Sequence, residues 1–322
     1  MNNDQIIAAT NSLIYYMPYI ILVFGNFGCI CNFLTFTNKQ LRSNSCGWYS
    51  LMSALFDFLY INVGLFTKLA TDQYGNTLQN VNLAWCRIRI FLTWTLPCIA
   101  TGYLVLASLD RCLSTSTNTS LRSFSQIKVA HRMTCVPIIL YSLTTSHQFI
   151  FYDLRPKCSA LPGTYSYFLS FYSIIWTSFV PQICMFVFAI LTFRNIQQSR
   201  QRLSTTTPTN NRTNSHLITI TLVQVLCSSI LLNIRSSYFA YTRFSTSIVK
   251  DDHRKLVESL ILEVTSYVFY ANFAKSFYVN TLSSKLFRQV FSQRLRRIYT
   301  KFICRRQRIQ PSTQETQVHK KY

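Results

Sequence analysis

Trp85-Cys86-Arg87-Ile88 opens, and Ser108-Leu109-Asp110-Arg111-Cys112 closes, the stretch whose reading decides how this chain folds. Between them the residues from Ile88 to Leu109 form a mostly apolar run. Cys86 and Arg111 are 25 positions apart, and at about 1.5 Å of helical rise per residue that spacing covers a bilayer of roughly 40 Å, headgroups included. The run therefore predicts a membrane-crossing helix with a cysteine at one water interface and an acid–base pair at the other.

Composition agrees. The 322 residues are 49% hydrophobic and 15% aromatic, yet only 13% charged, about half the share that lets a soluble domain coat itself in polar surface. Six further apolar segments join the first, giving seven predicted spans near 14–36, 48–70, 87–111, 133–152, 166–193, 216–241 and 257–280. The fourth is weakest, because Ser142, Thr144, Thr145, Ser146 and His147 dilute it. The expected organisation is an amino-terminal segment 1–13, an all-α seven-helix bundle over 14–280, and a tail over 281–322. Residues 1–13 are polar with no basic flank, so no cleavable signal peptide is expected there. In the tail, Leu286, Phe287, Val290, Phe291 and Leu295 recur at helical spacing among basic residues, which predicts an amphipathic helix along the membrane surface.

A net charge of +22 first suggests nucleic acid. Mapping it removes that partner. With the amino terminus outside, 21 of the 32 Lys and Arg residues fall in cytoplasmic links and the tail, while residues 1–38 hold none. This asymmetry orients the bundle by the positive-inside rule and makes the charge a surface facing acidic lipid.

The spacing from Cys86 to Asp110-Arg111, the lone intramembrane Asp57, Cys158, Pro181 and the ending Leu282-Ser283-Ser284-Lys285-Leu286-Phe287-Arg288 resemble a rhodopsin-like G-protein-coupled receptor over residues 18–292. The stretch Lys39–Cys46 and the tail look most like invertebrate peptide receptors of the FMRFamide-receptor-like group. The resemblance implies a plasma-membrane receptor that binds an extracellular peptide and activates a heterotrimeric G protein, with no cofactor and no enzymatic step. Of the eleven cysteines, only Cys86 and Cys158 fall on the outer side, where oxidising conditions permit a bridge. Two free thiols are the alternative; a bridge is expected, since neither has another outer partner.

The resemblance also implies roles. Arg111 would contact the G protein on activation, restrained at rest by Asp110; the plainer reading is a pair that only fixes helix depth. Asp57 would belong to an intramembrane polar pocket with Asn272, Lys275, Ser276 and the switch residue Asn280. Several companions differ from the family pattern. Cys29 stands where helix one carries Asn, with Asn26 and Asn32 a turn to either side. Ala100 replaces a Ser, and Ser276–Asn280 lacks the Pro and Tyr of Asn-Pro-x-x-Tyr. Lys275 either supplies a positive charge to Asp57 or points to lipid or water, as a Lys near a helix end can. Leu231-Leu232-Asn233-Ile234 replaces Cys-Trp-x-Pro on helix six.

Thr93, followed by Trp94, replaces the Asp of amine receptors, which argues against an amine ligand. Arg235, Tyr238, Glu263 and Tyr267 would line a charged and aromatic pocket suited to a peptide; alternatively Arg235 and Glu263 simply pair. Cys304, among Arg297, Lys301, Arg305 and Arg306, is either a palmitoylation site or a free thiol. The sequence shows no nucleophile–base set and no metal-ligand cluster. A signalling-silent relative and a seven-helix transporter or channel using Asp57, Lys275, Glu263 and Arg235 are the two rival functions.

Overall fold

The computed structural model describes residues 2–75, 78–154, 158–161, 163–202, 209–245 and 248–309, without the side chains of 199–202, 209–217, 243–244 and 301–309. The principal helices are α1 (Asn3–Phe36), α2 (Ser45–Asp72), α3 (Leu83–Thr115), α4 (Cys135–Thr145), α5 (Val180–Arg202), α6 (Thr209–Phe244), α7 (Asp252–Ala274) and α8 (Lys285–Ile309). Among the described residues, five helical stretches are long and apolar enough to cross a membrane: Asn3–Phe36, Ser45–Asp72, Leu83–Thr115, Thr164–Gln198 and Ile218–Thr242. Large apolar side chains stand out from them, including Val23, Phe24, Phe66, Phe186 and Leu226. Such a belt is tolerable in lipid and costly in water.

The remaining predicted spans differ for local reasons. The expected helix at 133–152 is shorter: Ile127–Met133 ends, and α4 begins at Cys135. Pro137 has no N–H to offer the carbonyl of Met133, so the ladder breaks there. The hydroxyls that dilute this segment are used inward. Thr145 meets Thr95 of α3 at 2.6 Å, and Thr144 accepts from Trp176 Nε1 at 3.3 Å. At the break, Thr134 accepts Tyr103 Oη on its carbonyl at 2.7 Å and Trp48 Nε1 on its hydroxyl at 2.8 Å. Between helices already in lipid, close approach and such polar contacts drive association.

The seventh segment begins earlier than expected, at Asp252, and is interrupted at Lys275 before resuming as Ser276–Ser283. Residues 3–13, expected to be a polar lead, are helical and continuous with α1. Gln5 Oε1 accepts the Asn2 N–H at 3.2 Å, one half of a capping box. Further along, Pro18 deprives the Ile14 carbonyl of its helical donor, and Gln73 Nε2 at the end of α2 donates to it at 3.0 Å and to Tyr15 at 2.9 Å.

The chain from Thr164 to Arg202 is one helical run with a π-helical stretch, Ser173–Phe179, just before Pro181. Val180 N–H donates back to Ile175 rather than Trp176, the wider ladder that a nearby proline commonly brings. A two-stranded antiparallel hairpin, β1 (Tyr152–Asp153) with β2 (Ser159–Ala160), precedes it. The disulfide Cys86–Cys158 ties this hairpin to the start of α3.

Apolar clusters lie at both ends of the bundle. One joins α1, α2, α3 and α7 through Ile21, Ile61, Leu65, Leu96 and Phe273. The other, at the Arg111 end, seats Phe287 and Val290 of α8 against Phe36, Leu41, Leu51 and Phe277. Ser284 starts α8 by accepting the Phe287 N–H on its hydroxyl at 3.2 Å. Between α1 and α2 the backbone packs so closely that a Cβ on Gly47 would lie 2.1 Å from the Leu41 carbonyl oxygen. Gly47→Ala should therefore cost about 1–3 kcal/mol, read as a lower melting temperature of the purified chain in detergent.

Candidate functional site

Three arrangements follow along α3, one at each end and one between. At the disulfide end, a cavity of about 210 Å³ lies between α3, the π-helical stretch, α6 and α7. Thr93, Trp94 and Arg235 line it, joined by Tyr60, Phe239, Phe269 and Phe273. The π-helical stretch contributes Ser173, Thr177 and Ser178, and α6 adds Ser236, which meets Ser178 Oγ at 2.5 Å. The remaining expected ligand residues turn elsewhere. Tyr238 Oη donates to the Glu258 carbonyl at 2.6 Å, and Tyr267 is buried under Lys68, whose ammonium stands 5.5 Å from its ring centre.

Glu263 and Arg235 do not pair. Glu263 is taken by Lys68 Nζ at 3.0 Å, which also holds Asp72 at 2.8 Å. Arg235 instead donates from Nη1 to Thr265 Oγ1 at 3.1 Å and to the Leu262 carbonyl at 3.5 Å. Lys68 is the residue that the sequence reading missed. It is an ionisable group near the end of the second apolar segment, and the rule that singled out Asp57 applies to it equally.

Midway along the bundle, Asp57 is buried and accepts Ser276 Oγ at 3.1 Å. Asn280 Nδ2 donates to Asn32 Oδ1 at 3.1 Å, while its Oδ1 accepts Gln224 Nε2 at 2.9 Å. These residues border a cavity of about 10 Å³, the room of a single water molecule. Thus Asn32, rather than Asn26, supplies the helix-one amide; Asn26 pairs with Asn62 at 2.7 and 3.2 Å.

Lys275 points inward and acts on Asp57 across the bundle through its charge, without an ion-pair contact within 4.0 Å. Its ammonium donates to Ser228 Oγ on α6 at 2.8 Å and to the Asn272 carbonyl and side-chain oxygens at 2.7 and 2.5 Å. A carbonyl and an amide oxygen on its own helix are nearer targets than the carboxylate across the bundle. Lys275→Met would leave these acceptors without their donor, so a loss of about 1–3 kcal/mol is expected. Thermal unfolding in detergent reads this directly; an unchanged melting temperature would mean the ammonium is dispensable.

At the far end of α3, Asp110 and Arg111 are 4% and 2% exposed. Arg111 Nη2 contacts Asp110 Oδ2 at 2.5 Å and donates to Asn44 Oδ1 at 2.8 Å. Asn44 also caps α2 by accepting the Cys46 N–H at 3.1 Å. The other Asp110 oxygen accepts Ser125 Oγ at 2.7 Å. The guanidinium is thus held by oxygen acceptors on one edge only: Nε and Nη1 are buried without an oxygen partner, and the Cys46 thiol lies beside the group. A second cavity of about 10 Å³ touches Arg111 and is walled by Ala189 and Thr192 of α5 and by Ile218, Thr221 and Val225 of α6.

Cys86 and Cys158 form the expected bridge, with Cα atoms 5.8 Å apart. The side chain of Cys304 lies outside the described residues. No family model matches this chain, and no curated protein matches it significantly.

Proposed function

We propose that this chain is a rhodopsin-like plasma-membrane receptor whose seven spans place the amino terminus outside and α8 along the inner membrane surface. It binds an extracellular peptide at the disulfide end and activates a heterotrimeric G protein at the Arg111 end. In this reading the segment around α4 and the pair α7 with Ser276–Ser283 complete the seven. The basic residues of α8, among them Lys285, Arg288 and Arg296, face acidic lipid.

The observation that carries the proposal is the one-sided hold on Arg111. A buried guanidinium with two donors short of oxygen acceptors is expensive, and a state in which those donors reach water or a partner recovers that cost. The restraint by Asp110 and Asn44 is the resting arrangement. A ligand lodged between α3, the π-helical stretch, α6 and α7 would favour one packing of α5 and α6 over another. That change would open the small cavity beside Arg111 and let its free edge reach a partner. Binding then shifts an existing equilibrium, by no more than the ligand's differential affinity for the two states.

The test is G-protein activation in cells at matched surface levels, with a neuropeptide library applied to wild type and Arg111→Ala. A ligand response in wild type, reduced at least about tenfold in the variant, is expected, since tenfold corresponds to roughly 1.4 kcal/mol of lost coupling. Silence of wild type with every G-protein class would overturn the receptor reading.

A further inference from the structure

Inside the bundle near the disulfide stand three cations, Lys68, Arg89 and Arg235, and two acids, Asp72 and Glu263. Both acids are held by Lys68. Among the described residues no carboxylate lies within 4.0 Å of either arginine. Arg89 contacts the Gln79 side-chain oxygen, and its buried Nε has no partner. Arg235 has only a hydroxyl and a carbonyl to bind. Arg89 and Arg235 are therefore without a carboxylate in contact, and Arg235 presents its charge to the 210 Å³ cavity.

The cavity's other walls say what accompanies the missing anion. Tyr60, Trp94, Phe239, Phe269 and Phe273 offer aromatic surface, and Ser173 with Thr177 offers hydroxyls. Its volume is below the roughly 300–1,000 Å³ of sites that enclose a drug-sized ligand, so it admits one residue-sized group. We infer that this site binds a carboxylate attached to an aromatic group, the carboxylate engaging the Arg235 guanidinium and the ring lying among Trp94, Phe269 and Phe273. A guanidinium is the side chain whose planar fork matches a carboxylate with two parallel hydrogen bonds. An uncharged amide in the same place would leave the arginine as it is now. The chemistry is common to two sources, the free carboxyl terminus of a peptide ending in Phe, Tyr or Trp and a free aromatic acid.

The inference deepens the receptor reading and rests on it for the biological source of the ligand, but the binding chemistry is tested without a G protein. The purified full-length chain in detergent would be titrated with N-acetylphenylalanine and N-acetylphenylalaninamide. It would also be titrated with short peptides ending in Phe, Tyr or Trp, each as the free acid and as the amide. Thermal stabilisation and quenching of tryptophan fluorescence report binding. The acid should bind at least about tenfold more tightly than its amide, in keeping with a charge-assisted pair. Arg235→Gln should abolish that preference, and Arg235→Lys should retain part of it.

If the preference appears with the single amino acids, a free aromatic acid suffices; if only with peptides, the carboxyl terminus is the source. Equal affinity for acid and amide, tighter binding of the amide, or no binding of any probe overturns the inference. The acid-to-amide comparison is made on wild type, so a variant that fails to fold does not decide it. Acid-selective binding without G-protein activation would count against the receptor reading alone, and amide-selective binding with activation against the carboxylate site alone.

Discussion

Asp110→Asn is expected to raise basal G-protein activation several-fold while lowering the stability of the resting chain. The substitution keeps the shape and the contact with Ser125, removes the charge facing Arg111 and sets an amide N–H against Arg111 Nη2 where Oδ2 accepted its proton. A buried guanidinium without its acid typically costs 3–5 kcal/mol, and a near-isosteric amide brings the expected loss to about 3 kcal/mol. That cost falls on the state in which Arg111 is buried. Any state in which the guanidinium reaches water or a partner is spared, so the equilibrium tilts towards it; roughly 1.4 kcal/mol of tilt is tenfold in population. Basal second-messenger output and a detergent melting curve, read on the same preparation, check both halves. A lower melting temperature with unchanged basal output would make the pair a structural fastening only.

The second large effect is expected from Cys86→Ser. The bridge joins positions 72 residues apart, and constraining such a loop in the unfolded chain contributes about 4 kcal/mol in the chain-entropy account. Without it the described residues of the hairpin keep the Arg87 Nε contact to the Tyr152 carbonyl at 3.1 Å, the Cys158 N–H contact to Asn80 at 3.1 Å and the packing of Tyr152 with Leu169, Ile90 and Trp94. Surface expression should fall sharply. Cys158→Ser should match it, and the double variant should be no worse than either single one, because all three lose the same bond. Additive losses would mean that each thiol has a separate role.

The helical organisation around α3 was legible because hydropathy, length and the terminal residues of one stretch agree. The bridge followed from sorting cysteines by side. What could not be read was the direction in which charged side chains turn. Glu263 and Arg235 sit at similar depth, which allowed a pair, but Lys68 on α2 reaches Glu263 and removes the acid from consideration. Lys275 and Asp57 likewise share a depth, yet Lys275 finds Asn272 on its own helix. Sequence spacing gives depth and face, whereas partner choice depends on which neighbouring helix stands across, and that is set by packing. Asn44 was invisible for another reason: a helix cap and an arginine acceptor leave the same single letter.

The π-helical stretch has a consequence for how α5 tolerates change. It fits one more residue into a turn than a regular ladder would, so the helix before Ser173 and the helix after Phe179 are out of phase. Were all seven residues of 173–179 to wind as a regular ladder, the extra one would no longer be absorbed in its turn. Everything from Val180 to Arg202 would then rotate by about 100° and move on along the helix axis by about 1.5 Å. Thr192, buried beside the Arg111 cavity, and Asn195, which donates to the Cys112 carbonyl at 3.2 Å, would both turn away from α3. A one-residue deletion within 173–179 should therefore be tolerated, because the ladder closes regularly with α5 unmoved. A one-residue deletion between Val180 and Thr192 should instead turn the face that meets Arg111 away.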